Sequence, residues 1–455
     1  MSGEQNLQIF LRHSHDRDQL EYGSIQHGAC WLIKPQKMNN TQTPSLEQST
    51  TCCIVGAGPA GAMLALLLAR QGVRVTLLES QLDFERRFRG DSIYPTILEL
   101  MDSLGLSGRL HALPHTKAHA IRLMTEHGPL EVGSFRRLRG RFGYLMIVPQ
   151  SKFLAFVLEE AARFPNFQLE LGARVEGLLE YEGRVCGVRY RQAGVTHELR
   201  AELTVGCDGR GSRVRALSNL ESGLLRVAPA TDLLWMSLPR DGQMTSREEV
   251  DLHLGHGHYL AILEHEKHWQ LGYGIPKGSF ARVREAGLEP LRTSIVGSAP
   301  WLEKSLTSLT DWSQVHLLSV QTSRLRHWAQ PGLLCIGDAA HTMSPIGGVG
   351  INLAIQDAVV AANRLTQPLL EHSLSLHDLN AVQREREWSV RLMQSWTRLL
   401  EWQLAAAMAS RPSWMMVNTL RFLMRIPAMS DFSTWLTAYG FQPPRLLKSA
   451  INPRV

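Results

Sequence analysis

The stretch "TCCIVGAGPAGAMLALLLARQGVRVTLLES", residues 51–80, constrains the fold more than any other part of the chain. An apolar run ends in a glycine turn, an apolar helical pattern follows to about Gly72, and a second apolar run closes at Glu79. That order predicts strand, tight turn, helix and parallel strand, a βαβ unit. In "GAGPAG", Gly56 permits the turn, Gly58 lets backbone approach a pyrophosphate, and Gly61 allows the helix to pack closely on the strand. Pro59 and Ala60 open the helix, whose positive dipole end faces the phosphates. Glu79 stands where an acid accepts a hydrogen bond from an adenosine ribose. The unit predicts a bound dinucleotide.

A chain of 455 residues is long enough for two or three domains, and 44% hydrophobic with 20% charged residues is ordinary globular composition. The net charge of +6 is spread thinly, with no Lys/Arg-rich run, so nucleic acid is not an expected partner. An anionic cofactor suits it. The six cysteines show no metal-ligand spacing and four lie in apolar runs, which points to a reducing cytoplasm. The N-terminus lacks the apolar core of a signal peptide. Residues 339–356 are free of charge, but glycines, Pro345, His341 and Asn352 interrupt them, so they do not read as a membrane span.

Residues 1–48 are polar and unpatterned and read as a disordered extension, with Met38 a plausible alternative start. Buried-strand and helix patterns fill 49–117, 144–224 and 320–372, a discontinuous dinucleotide-binding domain. Short alternating segments fill 118–143 and 225–319, an antiparallel-sheet domain for the substrate. In "EVDLHLGHGHYLAILEHEKHWQLGYGIP" two alternating runs flank "EHEKH", which reads as a hairpin. Residues 373–455 form a helical segment. The fold class is mixed α/β: a Rossmann-like domain interleaved with an antiparallel sheet, plus C-terminal helices.

Two further stretches carry chemistry. "LTVGCDGRGSRVRAL" ends a strand in Asp208-Gly209 and turns into a basic helix start with Ser212 and Arg215. "GLLCIGDAAHTMSPIGGVGINLAIQDAVVAANRL" ends a strand at Asp338, passes through a glycine-rich turn and enters a long apolar helix. With "GAGPAG", in this order, the chain resembles the class A flavin-dependent aromatic hydroxylases, the p-hydroxybenzoate hydroxylase-like superfamily, over roughly residues 50–370.

The resemblance implies FAD. It places Asp338 against the ribityl chain or, through water, the pyrophosphate, and runs the loop from Pro345 through Gly348 to Gly350 along the flavin edge. The N–H groups of Ile351 and Asn352 would face the N1–C2=O edge, where the helix dipole favours the anionic reduced ring. In "ERRFRGDSIYP", Arg87 or Arg89 would contact the pyrophosphate or the incoming nicotinamide. Gln150 in "VPQSKFL" matches a cofactor-binding polar residue, and Val175 would lie by the adenine. Asp208 and Gly209, with Ser212 and Arg215, would serve both FAD and NAD(P)H.

By the same resemblance the chain is an FAD-dependent monooxygenase. NADPH or NADH reduces the flavin, O₂ adds at C4a, and the hydroperoxide hydroxylates an aromatic or polycyclic small molecule. A reductase acting on a C=C bond shares the three motifs, and a non-catalytic FAD-binding protein is a further alternative. The hairpin histidines His253, His256, His258, His265 and His268 lack accompanying ligands, so no metal is expected. One of them, Tyr259 or Tyr273 could serve as the base that activates a phenol, a choice the sequence leaves open. Leu271 and Tyr273 stand where flavin-dependent halogenases carry tryptophans, against that activity. In "SRPSWMMVNTLRFLMRIP", Asn418, Arg421 and Arg425 share one helical face opposite apolar residues. Packing on the flavin domain or in a homodimer is preferred there to peripheral membrane contact.

Overall fold

Strand-forming apolar runs and the helix between them build the first layer around the βαβ unit. The computed structural model describes residues 48–84, 90–125, 128–240, 246–409 and 427–448. The N-terminal extension, Arg87 and Arg89, and the amphipathic face of 410–426 lie outside the described residues. The strand Gln48–Val55 runs parallel to Val75–Glu79 on one side and to Val195–Gly206 on the other. Leu333–Cys335 and Phe167–Leu171 extend this sheet as further parallel strands. The intervening helix Pro59–Arg70 is buried along Ala60–Ala69, because it lies between the sheet and the helices Gly350–Leu370 and Gln150–Ala161. A helix enclosed on every side needs no polar face.

The second sheet has seven strands in the order 316–318, 231–239, 268–276, 258–264, 249–255, 120–125, 128–134. Its pairings are antiparallel except that Glu249–Gly255 runs parallel to Ala120–Thr125, which joins the early and late alternating segments. The expected hairpin is present, His258–Glu264 against His268–Pro276. What the sequence suggests is one preceding run is two strands, Glu249–Gly255 and His258–Glu264. The turn between them contains Gly257 at φ +78°, a conformation that glycine adopts without a Cβ clash.

Both faces of this sheet are covered. Leu234, Met236, Leu260, Ile262 and Leu271 pack with Leu291 and Ile295 of the helix Leu288–Ser298. The alternate residues Trp235, Leu252, Ala261 and Gly272 face a cleft toward the first layer. Side chains alternate along a strand, so one set makes core and the other makes the cleft wall.

The helix Leu376–Ala409 is stitched to both layers. Arg386 Nε donates to Asp357 Oδ1 at 2.8 Å, and Gln394 Nε2 donates to the carbonyls of Ser323 and Thr342 at 2.9 and 2.8 Å. Glu401 Oε1 accepts from Ala230 N, Thr231 N and Thr231 Oγ1 at 2.9, 3.1 and 3.1 Å. Residues 346–370 are long and apolar enough to cross a membrane by length and composition, but 72% of their most apolar window is buried within the protein, as in a core helix.

Asp357 is fully buried between His341 and Arg386, with exposures of 0, 2 and 1%. Burial pushes its carboxyl up, but the His341 imidazole and the Arg386 guanidinium outweigh that and hold it below the usual carboxylate range. Removing one partner of a buried pair strands the other charge. We expect Arg386→Met to destabilise the protein by about 3–5 kcal/mol at pH 7, read by urea unfolding. A carboxyl depressed in the folded state stabilises above its unfolded pKa, and that contribution is lost as pH falls through the folded value. The deficit of the variant should therefore shrink toward acid; a deficit independent of pH would refute the ion-pair account.

Candidate active site

The two layers enclose a cleft of about 1060 Å³. At its floor the strand Gln48–Val55 ends in Gly56, whose φ of +99° and close neighbours leave no room for a side chain. A Cβ there would lie 2.7 Å from Asp208 Cα, and one on Gly61 would lie 2.0 Å from the Gly56 carbonyl oxygen. Strand, helix and the Asp208 turn thus meet backbone to backbone. Gly56, Gly58, Pro59 and Ala60 line the cleft, while Gly61 lies in the packing seam between helix and strand.

Glu79 also lines the cleft, buried, with Oε2 accepting from Ala57 N at 2.9 Å and Oε1 from Gln81 N at 3.0 Å. Those bonds aim the carboxylate toward the cleft. Val175 and Gln150 reach the same cleft, and Gln150 N donates to Asp91 Oδ1 at 3.2 Å.

Asp208 and Gly209 line the cleft, but the Asp208 carboxylate is engaged locally. It accepts from Ser212 Oγ at 2.5 Å and from the N–H groups of Arg213 and Val214 at 2.6 and 3.0 Å. Arg215 differs from the expectation of a cofactor contact. It is 5% exposed and donates from Nε to Glu221 at 2.6 Å, from Nη1 to Ala339 O at 2.8 Å and from Nη2 to Arg210 O at 2.8 Å. It works as a strut between two cleft turns.

Opposite lies the second glycine turn. Asp338 opens onto the cleft, its side chain 43% exposed, with Arg210 Nε at 3.7 Å. The enclosing walls push its carboxyl up, against the pull of Arg210 and His341. Pro345, Gly348, Gly350 and Ile351 line the cleft. The long helix starts at Gly350, and Leu353 N donates to Val349 O at 3.1 Å. Helix geometry leaves the N–H groups just before it, those of Ile351 and Asn352 included, without an intrahelical acceptor. The Asn352 side chain faces away from the cleft and clamps the neighbouring segment, accepting from Tyr94 N at 3.1 Å and donating to Ser92 O at 3.4 Å.

A dinucleotide fits this arrangement. A glycine cradle faces it from two sides, and Ser344 Oγ lies buried on the cleft wall without a hydrogen-bond partner among the described residues. Such an orphan is normally satisfied by water or a ligand.

Of the aromatic and imidazole candidates, Tyr259 lines the cleft. Tyr273 and His258 stack at 4.7 Å, with Tyr273 Oη 2.8 Å from Ser294 Oγ on the helix-covered face. His265 sits at the hairpin tip, 3.1 Å from Asp91 and stacked on His268. Burial and the neighbouring His265 lower the His268 pKa to about 4. Among the described residues no group of three or more His, Cys, Asp or Glu side chains is placed to hold a metal ion. The sequence reading missed Trp235, Leu252 and Leu404, which also line the cleft.

Fold and site together define a flavin-binding oxidoreductase with an attached apolar chamber. The family of FAD binding domains matches residues 49–393. The chain is 35% identical over 400 residues to 6-methylpretetramide 4-monooxygenase of Streptomyces rimosus, covering 85% of this chain and 94% of that protein. It is 27% identical to squalene monooxygenase SE2 of Panax ginseng, over 78% of this chain and 64% of that one. The crystal structure of PqsL from Pseudomonas aeruginosa shares the fold, with a TM-score of 0.67, 22% identity and coverage of 82% of this chain and 99% of that one. The chain belongs to the class A FAD-dependent aromatic hydroxylase-like monooxygenases. It is an FAD-dependent monooxygenase.

If Ser344 Oγ bonds the cofactor, Ser344→Ala should weaken FAD binding about 3–10-fold. Stability of the FAD-free protein should change by less than about 0.5 kcal/mol, because the hydroxyl has no partner among the described residues to lose. FAD titration and urea unfolding read the two effects separately, and unchanged FAD affinity would remove Ser344 from the site.

Proposed function

We propose that this monooxygenase hydroxylates a polycyclic aromatic small molecule, with NAD(P)H as reductant and O₂ as oxygen source. The observation that carries the reading is the continuity of the cleft: one cavity runs from the glycine cradle to the apolar face of the second sheet. The relative that acts on 6-methylpretetramide supports the substrate class, and NAD(P)H is typical of the family. Among the described residues five cysteines are free thiols, four of them buried, which suits a reducing cytoplasm.

In this reading Gly56, Gly58, Pro59 and Ala60 hold the pyrophosphate, Glu79 the adenosine ribose, and Val175 borders the adenine. Gln150 and Gly209 line the path between. Asp338 receives the ribityl hydroxyls, and Gly348, Gly350, Ile351 and Asn352 present backbone to the ring edge. Bound FAD supplies the electron store and the oxygen activation that no side chain offers. The chain binds, orients and excludes water: the apolar wall removes solvent from the reacting face. Overall, NAD(P)H, a proton, O₂ and an aromatic C–H give NAD(P)⁺, water and a phenol.

The test is oxygen uptake by FAD-loaded protein with NADPH or NADH and a panel of polycyclic aromatics. We expect at least one compound to stimulate uptake and to be recovered with one added oxygen atom. Reduced flavin that oxygen leaves largely unoxidised would instead favour the reductase alternative.

A further inference from the structure

We infer that the chamber beside the cofactor receives a flat, uncharged polycycle on a floor made by Trp235 and Ala261 and supported by the buried Tyr259 ring, and that Gly272 and Gly274 set this specificity. The inference rests on the polycyclic substrate reading above and extends it to the residues that select the substrate.

The register of the sheet carries the argument. Gly272 lies between Trp235 on one neighbouring strand and Ala261 on the other. Gly274 lies between Leu233 and Tyr259 in the same way. A Cβ on Gly272 would come within 3.0 Å of the Trp235 ring, and one on Gly274 within 2.0 Å of the Tyr259 ring. Both rings therefore lie down across the bare backbone of the strand His268–Pro276 instead of standing up from the sheet. Glycine inside a strand weakens it and is retained where something must approach the backbone closely. The flattened Trp235 ring and Ala261, both partly exposed, present a level apolar surface suited to offset stacking of a fused-ring system, and the buried Tyr259 ring, clustered with Leu233, Leu318 and Met408, supports it.

Charge is sorted by the same alternation. Arg122 and Asp251, on strands that line the chamber through Ile121 and Leu252, sit at the alternate positions and bond each other at 3.0 Å on the opposite face. Leu318 and Leu404 close the chamber from the sides. The Tyr259 phenol stays neutral, since burial pushes its pKa up and the nearby Glu401 adds to this against a hydrogen bond with Thr231. An anionic substrate group on this floor would lose its hydration without a charged partner.

The test uses oxidised, FAD-loaded, full-length protein and equilibrium binding read by flavin absorbance. The probes are a neutral hydroxyanthraquinone, its carboxylic acid derivative, a flexible isoprenoid alcohol and phenol, at pH 7. We expect the neutral tricycle to bind at least about 100-fold more tightly than its carboxylate. We expect Gly272→Ala and Gly274→Ala each to weaken the tricycle about tenfold, with phenol changed less than about twofold, because the added Cβ tilts a ring into the chamber. Should either glycine variant fail to retain FAD, Trp235→Leu, which adds no volume, must weaken the tricycle about tenfold while FAD content is kept. Equal binding of the carboxylate, equal binding of the flexible alcohol, absence of tricycle binding, or variants indistinguishable from the parent would each overturn the inference. Product analysis is kept separate: a tricycle bound as stated but never oxygenated would defeat the hydroxylation reading and leave the floor standing.

Discussion

The Asp357 carboxylate is the point on which the site hangs. One oxygen accepts from Gly337 N at 3.0 Å and shares a proton contact with His341 Nε2 at 2.6 Å; the other accepts from Arg386. Gly337 opens the turn that aims Asp338 into the cleft, His341 follows that turn, and Arg386 belongs to the helix Leu376–Ala409. A buried ion without partners costs far more than the pairing returns, so these pieces must assemble together. Arg215 grips the same turn from the other side through Ala339 O. The cofactor turn is thus held between two buried guanidinium groups.

The second constraint is the period of two in the sheet. A strand whose faces are both buried must be apolar at nearly every position, as "HYLAIL" is. One face then needs bulk, to fill the space beneath the helix Leu288–Ser298; the other needs shape, to leave a chamber. The small residues Ala261, Gly272 and Gly274 all fall on the cleft side, opposite Leu260, Leu271 and Tyr273. A slip of one residue in register would fill the chamber and empty the core, so packing and substrate access enforce the same alignment.

This explains what could be read from the sequence. The βαβ unit was legible because glycine spacing and helical period are local, and Gly56 and Gly61 meet their neighbours where that local pattern puts them. The turn at His256–Gly257 was hidden inside an unbroken alternation, since a two-residue turn preserves the apolar rhythm on either side. Alternation reveals that a strand has two faces, without saying which one meets the cofactor. Tyr259 and Tyr273 therefore looked equivalent until the Tyr259–Gly274 pairing placed them on opposite sides. Ser212 and Arg215 carry donors that would suit a phosphate, yet the fold spends them on Asp208, Glu221 and two carbonyls. A polar side chain's partner is decided by tertiary proximity, which the sequence pattern does not contain.

The helix Leu376–Ala409 serves the cofactor turn and the substrate chamber at once. The family match ends at residue 393, whereas Glu401 and Leu404 follow it. Leu404 walls the chamber, and Glu401 clamps Ala230 and Thr231, where the strand bearing Leu233 and Trp235 begins. Gly257 N, in the turn before the Tyr259 strand, donates to Met408 O at 3.0 Å on the same helix. Helix, Trp235 and Tyr259 are therefore mechanically coupled: a shift of the helix moves wall and floor together. The dinucleotide cradle depends on backbone glycines and a few buried ions, one of them Arg386 on this same helix, so the turn that aims Asp338 and the wall of the chamber are tied to one element.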